Sequence, residues 1–304
     1  PYDWAMCERE LGLMDARRIP KPALKELGNM KRFLEKLRDE LGGELPRAQV
    51  DAVCILTRGQ DPWGIAYTSY ILAKQAGINL EFAYIDRPFP QAQMYLLPCV
   101  TGNMVMSKSS YEALKARIRD GAELYLSLAD GFLTEFAQLT GMQVVDTQLD
   151  GGDAAFTLGT AQLTIKRRKT YTLRPVGGRV LCEMQGEPIL TENTFGKGTV
   201  YTLNAPLEES LIEAHNGFDR HLHEIYRKVF AHKLAAKPFV CLNDRIGVTF
   251  HPDGDAIYAV LINYSGLDAA PQAVFQNGYS IKRVLYGDFE RLSPFDACVV
   301  QLGR

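Results

Sequence analysis

Residues 48–85, AQVDAVCILTRGQDPWGIAYTSYILAKQAGINLEFAYI, decide the fold class. "AQVDAVCILT" is a nearly continuous apolar run of strand length, the pattern of a strand buried on both faces. "DPWGIAYTSYILAKQAG" opens on Asp61-Pro62, an N-cap followed by proline at the first helical position, and closes on Gly77. "INLEFAYI" returns to strand. Outward from this βαβ unit the alternation continues, with "QMYLLPC" a strand, "KSSYEALKARIRDG" a helix, "AELYLSL" a strand and "GFLTEFAQLTG" a short helix. Such alternation predicts an α/β fold with a parallel sheet covered on both faces.

Residues 142–198 break the rhythm. Short β-prone runs ("AAFTLG", "QLTIKRR", "KTYTLRPV", "RVLCEMQ") between glycine-rich turns predict an antiparallel insertion. "GKGTVYTLNAPLEESL" is expected to turn into a last core strand, and "FDRHLHEIYRKVFAHKL" to form one amphipathic helix. A boundary is expected near Ala236, before Pro238. Beyond it "KPFVCLN", "IGVTFH", "AIYAVLINYS", "QAVFQ", "SIKRVLYG" and "ACVVQLG" are short, evenly spaced runs that predict a small β-sandwich.

The N-terminal segment contains one helix, "ALKELGNMKRFLEKLRDEL", ended by Gly42-Gly43. Leu24, Leu27, Met30, Phe33 or Leu34, Leu37 and Leu41 form an apolar stripe on a charged helix. The residues before it are too few to cover that stripe, so a structural partner is expected elsewhere.

At 304 residues the chain has room for two domains and a smaller third piece. A net charge of −2 points away from nucleic acid and from anionic membranes as partners. Six scattered cysteines without metal-ligand spacing fit a reducing, cytoplasmic setting. No apolar run approaches the ~20 residues of a membrane span. The chain starts at Pro1, so an upstream region is expected to be missing.

Few residues offer chemistry. Asp61 is explained as a cap, while Trp63 beside it, near the carboxyl end of a strand, could stack on a sugar ring or fill an interface. In "LSLADGF" Ala129 occupies the apex where a hydrolase elbow would place Ser or Cys, which argues against a nucleophile there. His221 and His223, two apart on the expected helix, would face different directions, so they are read as helix-surface residues and no metal is expected. "IKRRK" is read as a solvated strand edge and "HPDGD" as a hairpin turn. No phosphate loop is present, and no cofactor is expected. Asp3, Trp4, Glu8 and Glu10 set acids beside an aromatic ring, a pairing that carbohydrate sites use.

"PYDWAMCERELGLMDARRIPKPALKEL" resembles the end of the catalytic TIM barrel of glycoside hydrolases, with Glu10, Leu11, Gly12, Leu13, Asp15, Pro20, Lys21, Pro22, Ala23 and Leu24 carrying the match. "YLLPCVTGNMVMSKSSYEALKARIRDGAELYLSL" resembles the trimerisation domain of family 42 β-galactosidases, a relative of class I glutamine amidotransferase domains. The resemblance implies residues 1–45 as the last barrel helix and 46–235 as a flavodoxin-like trimerisation domain with its insertion. Residues 236–304 would be the C-terminal β-sandwich. It further implies a retaining hydrolase whose two catalytic glutamates lie on the fourth and seventh barrel strands, upstream of Pro1. Asp3, Trp4 and Trp63 would then border the sugar site, and the partners would be that barrel, a β-linked sugar and further copies of the chain. Two other readings stand beside it. One is a non-enzymatic sugar- or metabolite-binding protein using "GQDPWG", and the other a cysteine hydrolase using Cys54 or Cys99.

Overall fold

The structure, a computed structural model, describes residues 12–102, 104–149 and 151–304. Helix α1 (Pro22–Leu41) starts with proline in its first turn and ends at Gly42, whose φ of 68° suits glycine. Phe33 of α1 lies against Tyr286 with ring centroids 3.9 Å apart, and Glu40 pairs with Arg283 at 2.8 Å. Only Leu37 of the stripe is fully buried, while Leu27, Met30 and Leu34 stay exposed.

The expected alternation follows as β1 (Ala52–Leu56), α2 (Pro62–Ala76), β2 (Leu80–Tyr84), β3 (Met94–Val100), α3 (Lys108–Arg119), β4 (Glu123–Leu128) and α4 (Phe136–Thr140). Then come β5 (Met142–Gln148), β6 (Asp153–Leu158), β7 (Ala161–Lys166), β8 (Thr170–Pro175), β9 (Arg179–Met184), β10 (Glu187–Phe195) and β11 (Gly198–Leu203). The main sheet has the order β2-β1-β3-β4-β11-β10-β9. Its first five strands are parallel, and β10 and β9 extend it antiparallel. β5 pairs with β8 and β6 with β7 as separate ribbons. The insertion is therefore only partly separate, because β9 and β10 belong to the main sheet. β10, with Pro188 and several polar residues, is a strand the apolar pattern did not indicate.

Alternation along each central strand builds two cores. Ala52, Cys54 and Leu56 of β1, with Met94 and Leu96 of β3, face α2 and Ile225, Tyr226 and Val229. Val53, Ile55, Tyr95 and Leu97 face α3 and α4 through Leu114, Ile118, Phe136 and Leu139. Both faces are covered, which is why these strands read as continuous apolar runs.

The segment expected as one helix over residues 218–234 is broken. Helix α5 (Glu209–Ile212) leads to a 3₁₀ turn (Gly217–Asp219), and His221 then takes a φ of 56° before α6 (Glu224–Val229) and α7 (Ala231–Ala235). His221 and His223 thus precede the helix instead of riding on it, and His223 is buried at 1% exposure. The six C-terminal runs all form strands: β12 (Phe239–Cys241), β13 (Ile246–Asp253), β14 (Ala256–Asn263), β15 (Ala273–Phe275), β16 (Ser280–Tyr286) and β17 (Ala297–Gly303). β12 pairs with β15, and β13-β14-β17-β16 form a second antiparallel sheet. A third core lies between them, where Phe239 meets Phe250 at 5.2 Å and Phe289 at 6.1 Å. Gly254 turns β13 into β14 with a φ of 57°, as the Asp-Gly pair predicts. Among the described residues no helix is long and apolar enough to cross a membrane.

Candidate functional site

The chain leaves β1 towards β2 on one side, then crosses back to place β3 on the other. That reversal opens a crevice at the carboxyl ends of β1 and β3, the position where open α/β sheets take ligands. A cleft of about 590 Å³ lies there, lined by the loops after β1, β3, β4 and β11, with Gln60, Asp61, Thr101, Asp130, Arg168 and Glu209 among its polar groups. Gln60 ties the first two loops together. Its Oε1 accepts from the Thr57 N–H at 2.9 Å, while its Nε2 donates to the carbonyls of Pro98 and, at 3.2 Å, Cys99. Asp130 accepts from the Gly102 N–H at 2.7 Å, and a Cβ on Gly131 would collide with the Gly102 carbonyl oxygen. The Asp130-Gly131 pair is therefore more than a turn signal, since it locks the β4 loop onto the β3 loop.

Beneath the cleft sits a feature no sequence pattern announced. Glu208 is 0% exposed and accepts from Ser127 Oγ at 2.6 Å, Tyr226 OH at 2.9 Å and Tyr125 OH at 3.1 Å. The Cys99 thiol donates to the same carboxylate at 3.3 Å and accepts the Glu209 N–H at 3.2 Å. Cys99 has a φ of 49°, at a register shift in the β3–β4 ladder that follows Pro98. The strained residue at a strand end is thus Cys99 on β3, one strand away from the Ala129 apex on β4. Burial, then the Glu208 carboxylate, push the Cys99 thiol well above its usual range. Burial and Glu208 do the same to Cys54. Thiols held protonated are poor nucleophiles, so neither cysteine is prepared for attack.

The residues read as site candidates fall in different places. Asp3 and Trp4 lie outside the described residues. Asp61 is the cap it was expected to be, its Oδ1 accepting from the Trp63 and Gly64 N–H groups at 3.1 Å each, and it also lines the cleft. Trp63 is 85% exposed on the first turn of α2, beside the cleft lining rather than in it. Replacing Asp61 by alanine is expected to cost about 1 kcal/mol through the lost cap, whereas Trp63→Ala should stay within about 0.5 kcal/mol; urea unfolding curves of both variants check this. The "IKRRK" run is only partly a solvated edge. Arg167 is 8% exposed, while Lys166 and Arg168 line the cleft, and Arg168 lies 3.5 Å from Glu209.

No protein-family model matches the sequence, and no curated protein matches it. Solved structures do. The fold is shared with family 42 β-galactosidases. A β-galactosidase of this family from G. stearothermophilus matches with a TM-score of 0.67 and 13% identity, over 100% of this chain and 47% of that one. The cold-adapted β-galactosidase of Rahnella sp. R3 matches with a TM-score of 0.68 and 12% identity, over 99% of this chain and 48% of its own. An exo-β-1,4-mannosidase from Opitutaceae bacterium strain TAV5 shares less, with a TM-score of 0.56 and 16% identity over 72% of this chain and 41% of the other. This chain spans about half the length of the β-galactosidases it matches.

Proposed function

We propose that this chain is the non-catalytic C-terminal region of a glycoside hydrolase. The whole enzyme would be β-galactosidase-like and retaining, with both catalytic glutamates on a TIM barrel that precedes Pro1. The observation that carries this reading is the match of the entire chain to about half of each β-galactosidase structure. The exposed Leu27, Met30 and Leu34 of α1 support it, because a barrel would cover that face. In this reading residues 1–45 close the barrel, and Asp3 and Trp4 border its sugar pocket. Residues 46–235 form a flavodoxin-like, amidotransferase-derived trimerisation domain with an insertion near 142–198, and 236–304 form the β-sandwich. The strand order β2-β1-β3-β4-β11 supports the flavodoxin-like assignment. Trp63 and Tyr67, one turn apart and exposed on α2, suit an interface between copies, where aromatic residues concentrate. The five cysteines of the described residues, all free and buried, suit a cytoplasmic setting.

Chemistry follows from this placement. Gln60, Asp61 and Asp130 of the cleft are engaged with backbone N–H groups, and Glu208 is sealed beneath it, which suits a cleft whose polar groups hold loops together rather than cut a bond. The purified 304-residue chain is expected to be inert towards nitrophenyl β-glycosides. Turnover by this chain alone would overturn the reading. The cleft itself favours a second reading, a non-enzymatic sugar or metabolite binder, which calorimetry with galactose and related sugars addresses directly.

A further inference from the structure

The break before α6 changes what two histidines can do. A ring nitrogen of His221, a ring nitrogen of His223 and a carboxylate oxygen of Asp244 lie within 4.8 Å of one another. His221 Nδ1 is 3.7 Å from Asp244 Oδ2. Asp244 belongs to the turn between β12 and β13, so the cluster joins the segment before α6 to the C-terminal antiparallel sheets. Had the helix run unbroken through this segment, the two imidazoles would point apart.

His223 supplies the second observation. It is 1% exposed, and its Nε2 lies 3.3 Å from Glu224 Oε1, while its Nδ1 is buried with no hydrogen-bond partner. With the Glu224 carboxylate beside Nε2, Nδ1 is the ring nitrogen left without a protein partner. This is the arrangement that orients histidines bound to metals. An orphaned buried lone pair is costly in a native fold and asks for a partner. Arg227 holds the same Glu224 oxygen at 2.8 Å, which keeps that carboxylate in place.

We propose that His221, His223 and Asp244 form a site for a divalent borderline metal of the Zn²⁺ class. Two imidazoles and one carboxylate are the ligand set such ions prefer, and three protein ligands leave a fourth position for water. Tetrahedral ligands at 2.0–2.1 Å from the ion lie about 3.4 Å apart. The His221–Asp244 pair is already close to that spacing, and the His221 side chain, 67% exposed, is free to close the remaining gap. The turn that carries Asp244 is held in place by its neighbours. Asn243 Oδ1 accepts the Arg245 N–H at 3.0 Å, and its Nδ2 donates to the Ala270 carbonyl at 2.9 Å. Arg245 is drawn to Asp219 at 3.3 Å and so leaves Asp244 to the histidines. The ion would act as a clamp, pinning the β12–β13 turn to the chain before α6.

The test is titration of Zn²⁺ into the tag-free, chelator-treated 304-residue chain, followed by calorimetry and by thermal unfolding. One Zn²⁺ per chain is expected, with a rise in melting temperature on binding. His221→Ala and Asp244→Asn change partly exposed side chains and should fold normally, yet each should weaken affinity by at least about 10-fold and reduce the thermal rise accordingly. Co²⁺ in place of Zn²⁺ should give visible absorption bands that both variants lose. Absence of stoichiometric binding, or binding that both variants retain unchanged, overturns the proposal.

Discussion

Glu208→Ala is expected to destabilise the chain by at least about 3 kcal/mol, because it removes the shared acceptor of three buried hydroxyls at about 1–3 kcal/mol each. Ser127, Tyr125, Tyr226 and Cys99 all converge on this carboxylate, and all four are 0% exposed, as is Glu208. Once the acceptor is gone, each hydroxyl is left in a low-dielectric core with its donor unmet, at about 1–3 kcal/mol per group. Glu208→Gln tests what the second acceptor oxygen contributes. The amide keeps the volume and one acceptor oxygen but turns an NH₂ towards groups that are themselves donors, so a smaller loss is expected. Urea unfolding of both variants measures the difference. A Glu208→Ala variant within about 1 kcal/mol of the parent would mean that the cluster does not hold the central sheet together.

A second large effect concerns alkaline pH. Burial pushes the thiols of Cys54 and Cys99 far up, helped in both by Glu208, and moves Cys241 to about 11 and Cys298 to about 12. An unfolded cysteine loses its proton near pH 8.5. Between that pH and the folded value the native state holds protons that the unfolded chain has released. Stability therefore falls as pH rises, by about 1.4 kcal/mol per pH unit for each thiol. Lys74 acts in the opposite sense. Burial, then repulsion from Lys237, lower it to about 8, whereas an unfolded lysine keeps its proton to about 10.4. Over that window stability rises with pH, so the lysine offsets part of the loss from the thiols. Burial raises the Cys182 thiol as well, so the thiols together make the net effect destabilising above about pH 8.5. Thermal melts under reducing conditions should show the midpoint dropping steeply between about pH 8.5 and 10. A flat or rising profile would show that these thiols ionise in place.

Much of the fold was legible because strands and helices announce themselves locally. Continuous apolar runs at residues 52–56 and 94–100 marked doubly buried strands, and caps at Asp61 and Gly77 marked the ends of α2. The six C-terminal runs were visible for the same reason. β10 was not, since at the sheet's far side a strand with Pro188 and several polar residues is held by pairing with β9 and β11 rather than by an apolar pattern. The helix expected over 218–234 failed because the apolar spacing persists across a left-handed residue, His221, that no periodicity detects.

The site was less legible than the fold. Asp61 could be placed because a cap acts within three residues of itself. Glu208 could not, since "PLEESL" offers two adjacent glutamates, and only the packing of α5 under the cleft turns the first inward and leaves the second on the lining. The Pro98-Cys99 pair inside an apolar run was the one available hint of the strained residue at the end of β3.

By itself, the sequence determined the α/β alternation, the all-β C-terminal segment and the amphipathic helix at the start, because side-chain periodicity is a property of neighbours along the chain. Only the tertiary structure decided which polar groups meet. Residues 99, 125, 127, 208 and 226 form one cluster, and 221, 223 and 244 another, through strand order and a helix break. Such convergence depends on contacts between distant segments, and those leave no spacing to read.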